Sequence, residues 1–226
     1  VCVRRAFCEV EMFTRTTRVS IWKNKMSAIL EDLVRTAVEL SESGLVTGAG
    51  GNISARDEGK MWISPSGFSL GEASLEDYPS VAIDSGELVS GDNRPSSEVL
   101  MHLGVYRVRP NVEAIIHSHP RYTIALTACG HDLRAMFADY HVYLGSDVPH
   151  VDYITVTTPE LAEAVSSTFS ENHVVGMVLR NHGCITVGAS IKEALYRNLA
   201  IEEQAQIQWQ AMQVGTPTFL SAEECA

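Results

Sequence analysis

Apolar residues recur every three or four positions in several parts of the chain, the spacing that places them on one face of an α-helix. The clearest case begins at Met26 and ends at a glycine that can cap the helix. Other segments with this spacing open on a proline or on a capping serine or threonine. The pattern predicts five helices, over residues 26–43, 96–108, 120–128, 159–170 and 191–214.

Short apolar runs rich in β-branched residues alternate with these helices and predict strands. The runs lie at residues 61–64, 114–119, 151–156, 174–180 and 184–188, and residues 81–89 are typical of a hairpin with a polar turn. Residues 135–143 are aromatic and polar without a clear period, which favours strand and loop. Because several strand-to-strand links are short, we expect a single α/β domain whose central sheet is mostly antiparallel or mixed and is covered by helices.

The ends of the chain differ in composition from this core of residues 26–214. Residues 1–25 carry six Lys or Arg against two Glu and lack the apolar run of a signal peptide, which favours a loosely ordered extension. Residues 215–226 form a polar tail. The net charge of −11 argues against nucleic acid or an anionic membrane as a partner. No apolar run approaches the roughly 18 residues of a membrane span.

The five cysteines are scattered and form no CxxC pair. This pattern indicates reduced thiols in a cytoplasmic protein rather than a disulfide framework or a structural zinc site.

Three histidines stand where predicted strands end. His117 and His119 are two residues apart in extended chain, so their side chains point to the same side. His182 follows the apolar run at 174–180. Any one of them alone is more typical of a surface or core histidine. Three imidazoles that converge and leave a fourth position open are the arrangement of a catalytic zinc site.

Two polar segments are candidates for holding a substrate. The glycine-rich stretch at residues 47–54 permits close approach of backbone N–H groups to a phosphate, although a plain turn before a strand is the default interpretation. Glu98 is expected in the first turn of a helix capped by Ser96 or Ser97, where the helix dipole alone favours a carboxylate. His102 follows one turn later and is expected to be a supporting or core histidine rather than a ligand.

Five motifs in a fixed order make the chain similar to the class II aldolase/adducin family, and in particular to its fuculose-1-phosphate aldolase branch. The similarity extends from about Met26 to Val214. The motifs are Gly-Gly-Asn-Ile-Ser at 50–54, Ile-Ser-Pro-Ser-Gly at 63–67, Ser-Ser-Glu at 96–98, His-Ser-His-Pro at 117–120 and Asn-His-Gly at 181–183.

The resemblance implies a class II aldolase-like three-layer fold and a divalent ion bound by His117, His119 and His182. The ion is usually zinc, although three imidazoles also suit manganese or cobalt. It further implies that Glu98 is the acid/base group, and that active sites lie at the interfaces of a cyclic homotetramer. The phosphate pocket is expected at Gly51, Asn52, Ser66, Gly67, Ser96 and Ser97.

The activity implied is cleavage or formation of a carbon–carbon bond in a small sugar phosphate, giving dihydroxyacetone phosphate and an aldehyde through a zinc-stabilised enediolate. Members of this branch use a tyrosine from a neighbouring subunit, for which Tyr140 is the candidate and Phe137 and Tyr143 compete. A metal-dependent decarboxylase of a keto or hydroxy acid is the alternative within the family. Epimerase members carry Asp in place of Glu98, and an adducin-like scaffold without activity typically lacks the metal histidines.

Overall fold

The computed structural model of the protein describes residues 26–145, 148–221 and 223–225. The predicted N-terminal extension therefore lies outside the described residues. In chain order the helices are α1 (26–42), α2 (Val99–Val108), α3 (Arg121–Ala128), α4 (Ala138–Leu144), α5 (Pro159–Phe169) and α6 (Ile191–Val214). The strands are β1 (Asn52–Asp57), β2 (Lys60–Ile63), β3 (Ser80–Ala82), β4 (Leu88–Ser90), β5 (Ala114–Ser118), β6 (His150–Val151), β7 (Gly176–Leu179) and β8 (Gly183–Gly188).

The strands form one sheet in the order β4-β3-β2-β1-β5-β8-β7-β6. Neighbouring strands pair antiparallel except β6 and β7, which pair parallel. The fold is thus a mixed α/β sheet, as predicted, and β5 lies at its centre between β1 and β8. This central place matters because β5 carries the His-Ser-His motif at its end.

Helices cover both faces of the sheet, and the alternation of β5 shows why. Ile115 packs on one face with side chains of α2 and α5, whereas Ala114 and Ile116 pack on the other with α1 and the start of α6. A third apolar cluster joins α3, α4 and α6 beside β7 and β8. The result is the expected three-layer arrangement, in which side chains that alternate along a strand enter two separate cores. Within the described residues, no helix combines the length and the apolarity that a membrane crossing needs.

Two sequence predictions were wrong. Residues 135–143 include helix α4, because Tyr140 and Leu144, four residues apart, pack together in the third cluster. A helix of this length is too short to show a period. The strand predicted over 151–156 is limited to β6, since its partner β7 ends at Leu179 and leaves nothing for the following residues to pair with.

Candidate metal centre and active site

The sheet register brings the three histidines together. β5 pairs with β1 and β8, so that His117 lies opposite Asn52 on one side and Ile185 on the other. His119 follows just beyond the end of β5. His182 lies in the tight turn between β7 and β8, where its N–H donates to the carbonyl of Leu179 at 3.1 Å.

The nitrogen atoms of these histidines converge on one point, together with the carboxylate of Glu98. His117 Nε2 lies 3.0 Å from His119 Nε2 and 3.2 Å from His182 Nε2. Glu98 Oε2 lies 3.2 Å from His117 Nε2, and Glu98 Oε1 lies 3.3 Å from His182 Nε2. Ligands about 2.0–2.1 Å from a tetrahedral ion are separated by about 3.3 Å, so this spacing fits a small divalent metal.

The hydrogen bonds around the cluster also fit a metal. His117 Nδ1 lies 2.9 Å from the carbonyl oxygen of Cys184, which can only accept, so Nδ1 carries the hydrogen and Nε2 presents its lone pair to the cluster. Glu98 Oε1 is buried and has no hydrogen-bond donor among the described residues. Three imidazole nitrogens and one carboxylate oxygen form a donor set suited to zinc and to neighbouring transition metals.

Electrostatics keep the carboxylate charged. Burial opposes ionisation of Glu98, but the proximity of the His117 and His182 rings outweighs it and holds the pKa of Glu98 well below its usual range. Burial and the neighbouring histidines lower the pKa of His119 to about 4, so its ring is neutral near pH 7. Burial lowers the pKa of His117, but Glu98 and the carbonyl of Cys184 outweigh it and raise that pKa, so a cation that binds here replaces a proton on His117.

Glu98 reaches the cluster because α2 begins later than predicted. Glu98 itself occupies the N-cap position, and its backbone N–H is 3.3 Å from Ser96 Oγ. The prediction that Ser96 or Ser97 caps the helix was therefore wrong. The backbone of Ser96 donates instead to the carbonyl of Ser64 at 3.0 Å, which holds the chain extended up to the start of the helix.

A cavity of about 240 Å³ opens beside the cluster. Glu98, His119 and His182 lie in its wall, and the structure brings all the residues predicted for the phosphate pocket to the same cavity: Gly51, Asn52, Ser66, Gly67, Ser96 and Ser97. Gly51 has φ of 73°, and a Cβ there would lie 2.5 Å from Val46 Cγ1 and 2.8 Å from the carbonyl oxygen of His117. Only glycine fits this approach of the turn to the strand that carries two ligands.

Three other parts of the site were missed or only partly seen in the sequence. Val156 and Thr157 line the cavity, and Thr157 has φ of 66°, which is unusual for a β-branched residue. The strand predicted over 151–156 and the helix predicted from Pro159 gave no sign that the residues where they meet face the cavity. The side chain of Asn52 is also bound more closely than expected, with Nδ2 2.9 Å from Glu98 Oε2 and Oδ1 2.6 Å from His102 Nε2.

Tyr140, in contrast, is not part of this site. Its ring is fully buried in the cluster between α4 and α6, and its hydroxyl lies 3.3 Å from the N–H of Val148. Its side chain therefore packs within its own chain and does not line the cavity, and a role for it at a neighbouring subunit stays a prediction. Of its competitors, Tyr143 is partly exposed and contacts Tyr196 with the ring centroids 5.8 Å apart, whereas Phe137 packs on the cluster.

Comparison with known families decides the assignment. The model of the family described as class II aldolase and adducin N-terminal domain matches residues 31–209, most of the chain. The chain belongs to the class II aldolase/adducin family. The resemblance inferred from the five motifs is thereby confirmed, and the matched span contains each of the predicted ligands.

Curated relatives and solved structures of this family cover most of the chain. A 5-deoxy-D-ribulose 1-phosphate aldolase of Bacillus thuringiensis serovar kurstaki is 36% identical over 86% of the chain and 90% of the relative. A 3-oxo-tetronate 4-phosphate decarboxylase of Escherichia coli K12 is 31% identical over 80% of the chain and 85% of the relative. The structure of an L-fuculose 1-phosphate aldolase superposes with a TM-score of 0.80 at 32% identity, covering 88% of this chain and 93% of that one.

Class II aldolases are metal-dependent carbon–carbon lyases, and we assign the chain to this enzyme class on its similarity to them and on the cluster of ligands.

Proposed function

We propose that the protein is a metal-dependent aldolase that cleaves or forms a carbon–carbon bond in a small ketose 1-phosphate of the fuculose 1-phosphate type, giving dihydroxyacetone phosphate and an aldehyde. The observation that carries this proposal is the convergence of His117, His119, His182 and Glu98 at a cavity whose wall holds the predicted phosphate loops. In such a cavity the reacting carbons would lie beside the histidines and Glu98, and the phosphate beside the predicted phosphate loops.

A divalent ion held by the three histidines, zinc in our proposal with manganese or cobalt as alternatives, would act as a Lewis acid that stabilises the negative charge of the enediolate. Neutral imidazole ligands do not offset the positive charge of the ion, so its full charge would act on the enediolate. Glu98 Oε1 faces the same point and would hold or return the proton at the carbon that becomes nucleophilic.

The phosphate would be bound by neutral donors, which suits a chain of net charge −11. Gly51, Ser66, Gly67 and Ser97 line the cavity, and their backbone N–H groups and hydroxyls would supply these donors. Ser96 Oγ accepts from the N–H of Glu98, so its own hydrogen is available to a ligand. Anchoring the phosphate would fix the distance from the reacting carbons to Glu98, which is a source of rate enhancement.

A metal-dependent decarboxylase is the second candidate. The similarity to the 3-oxo-tetronate 4-phosphate decarboxylase favours it. Loss of carbon dioxide from a keto acid also leaves an enolate-type anion, so the same ligands would serve both reactions.

We further propose a cytoplasmic homotetramer with active sites at its interfaces. The scattered thiols support the compartment. Exposed aromatic and aliphatic side chains on α4 and α6 support contacts between subunits: Val142, Tyr143, Tyr196 and Trp209.

The deciding experiment is a product assay on the metal-loaded protein. Fuculose 1-phosphate, 5-deoxyribulose 1-phosphate and a 3-oxo acid 4-phosphate would be supplied in parallel, with dihydroxyacetone phosphate read through glycerol-3-phosphate dehydrogenase and carbon dioxide read separately. We expect dihydroxyacetone phosphate from at least one ketose 1-phosphate. Release of carbon dioxide alone would favour the decarboxylase, and turnover of none of the three would contradict both.

A further inference from the structure

A chain of four hydrogen bonds runs from the cavity into the core behind it. Asn52 Nδ2 is 2.9 Å from Glu98 Oε2, and Asn52 Oδ1 is 2.6 Å from His102 Nε2. Across the imidazole ring, His102 Nδ1 is 2.7 Å from Ser54 Oγ, which is 2.9 Å from the hydroxyl of Tyr106. All five residues are buried, so each of these polar atoms relies for its hydrogen bond on the next residue of the network rather than on water.

With a neutral imidazole and an ionised Glu98, only one arrangement of donors satisfies all four contacts. A carboxylate only accepts, so the NH₂ group of Asn52 faces Glu98 and the amide oxygen faces His102. That oxygen also only accepts, so His102 Nε2 carries a hydrogen. In a neutral ring Nδ1 then has the lone pair, so the hydroxyl of Ser54 donates to Nδ1 and in turn accepts from Tyr106.

The ring of His102 is neutral in this environment. Burial is the main cause that lowers the pKa of His102 to about 3, and the charge of His117 acts in the same direction against the opposing effect of Glu98. The packing around the ring is rigid as well, because β1 supplies Asn52 and Ser54 and α2 supplies His102 and Tyr106.

The network acts on one oxygen of the carboxylate and leaves the other alone. Glu98 Oε2 accepts from Asn52, whereas Oε1 lies toward His182 with no hydrogen-bond donor among the described residues. A carboxylate that is pinned at one oxygen keeps the other at a fixed place relative to a substrate in the cavity. Fixed placement of the acting atom is what proton transfer requires.

We propose that His102 is a positioning residue: its Nε2–H, with Ser54 and Tyr106 completing the hydrogen bonds on the other side of the ring, holds the amide of Asn52 so that its NH₂ group orients Glu98 for proton transfer. This inference deepens the proposed function and rests on it for the role of Glu98. The arrangement of hydrogens in the network does not depend on which substrate is turned over.

His102→Leu and His102→Gln form the first test, both as metal-loaded proteins. Leucine offers neither donor nor acceptor, whereas glutamine offers one of each and so can take the place of the imidazole. We expect His102→Leu to lower kcat by about tenfold to a hundredfold while KM changes little, as for other groups that orient a ligand or base from behind. His102→Gln should recover most of the loss, and both variants should retain the metal content of the wild type.

A kcat of His102→Leu equal to that of the wild type, or equal losses in the two variants, would overturn the proposal. If His102→Leu does not fold, Tyr106→Phe takes its place, since it removes only the hydroxyl that donates to Ser54. Tyr78→Phe is the matched control because its hydroxyl is also buried but has no hydrogen-bond partner among the described residues. We expect a lower kcat for Tyr106→Phe than for Tyr78→Phe, and equal values would contradict the proposal.

A measurement without turnover separates this proposal from the proposed function. Nitrogen-15 NMR of the histidine-labelled, metal-loaded wild type reports which nitrogen of His102 is protonated. We expect the Nε2–H tautomer at neutral pH. Finding the Nδ1–H tautomer would overturn the proposed network even in an active aldolase. Finding the Nε2–H tautomer in a protein that cleaves no sugar phosphate would contradict only the proposed function.

Discussion

Glu98 Oε2 lies 3.2 Å from His117 Nε2, although Glu98 occupies the N-cap position of helix α2 and His117 lies near the end of the central strand β5. The contact joins a group that can carry a proton to a group that can bind a metal. Because the carboxylate is held ionised by its histidine neighbours, it contributes negative charge where a cation would sit.

Glu98→Gln should separate metal binding from proton transfer. Glutamine keeps the shape of the side chain but cannot accept and return a proton, so we expect kcat to fall by about 10²- to 10⁴-fold. The three histidines remain, so the metal content measured by elemental analysis should stay near that of the wild type. Full turnover by this variant would show that another group is the acid/base.

Gly51→Ala should disrupt the strand that carries the ligands, and Gly44→Ala provides a matched control. Both glycines have φ near 70°, but a Cβ at position 44 meets nothing within 4 Å, whereas at position 51 it meets Val46 and the backbone of His117. We expect Gly44→Ala to cost about 1 kcal/mol from backbone strain alone. Gly51→Ala should cost about 3 kcal/mol because overpacking is added to that strain.

Urea unfolding of the two glycine variants measures these costs as free energies of unfolding. Equal losses for the two would contradict the close approach of the turn to β5.

Tyr140→Phe should leave catalysis intact. The hydroxyl of Tyr140 contacts the N–H of Val148 inside the core, so its removal should lower the free energy of unfolding by about 1 kcal/mol. Steady-state kinetics should give kcat and KM values like those of the wild type. A large loss of kcat in a stable variant would contradict this expectation and support the catalytic role that the family resemblance implies for Tyr140.

The ligand cluster was predictable because its geometry is local or follows from simple rules. His117 and His119 share a face of an extended strand, and the tight turn that holds His182 next to β5 follows from the pairing of β7 with β8. The motifs that carry the family resemblance contain the remaining polar residues of the cavity. These features can be predicted even when the ends of helices and strands are placed a residue or two from their true positions.

Other features depend on tertiary packing that no local sequence pattern indicates. The hydrogen bond between Asn52 and Glu98 joins residues 46 positions apart, and it requires both the register of β1 on β5 and the late start of α2. The burial of Tyr140 depends on α4, a helix too short to show a period. In both cases the deciding contact comes from an element that is distant in the chain.

The central claim is that the three histidines hold a metal on which aldol cleavage depends, and reconstitution tests it most directly. The protein would be stripped with a chelator and reloaded with zinc, manganese or cobalt, and dihydroxyacetone phosphate formation would be followed in the wild type, in His182→Ala and in His131→Ala, an exposed histidine outside the site. We predict that activity disappears on stripping and returns with about one divalent ion per chain in the wild type and in His131→Ala, but not in His182→Ala. Full activity in the stripped protein, or full recovery in His182→Ala, would contradict the account.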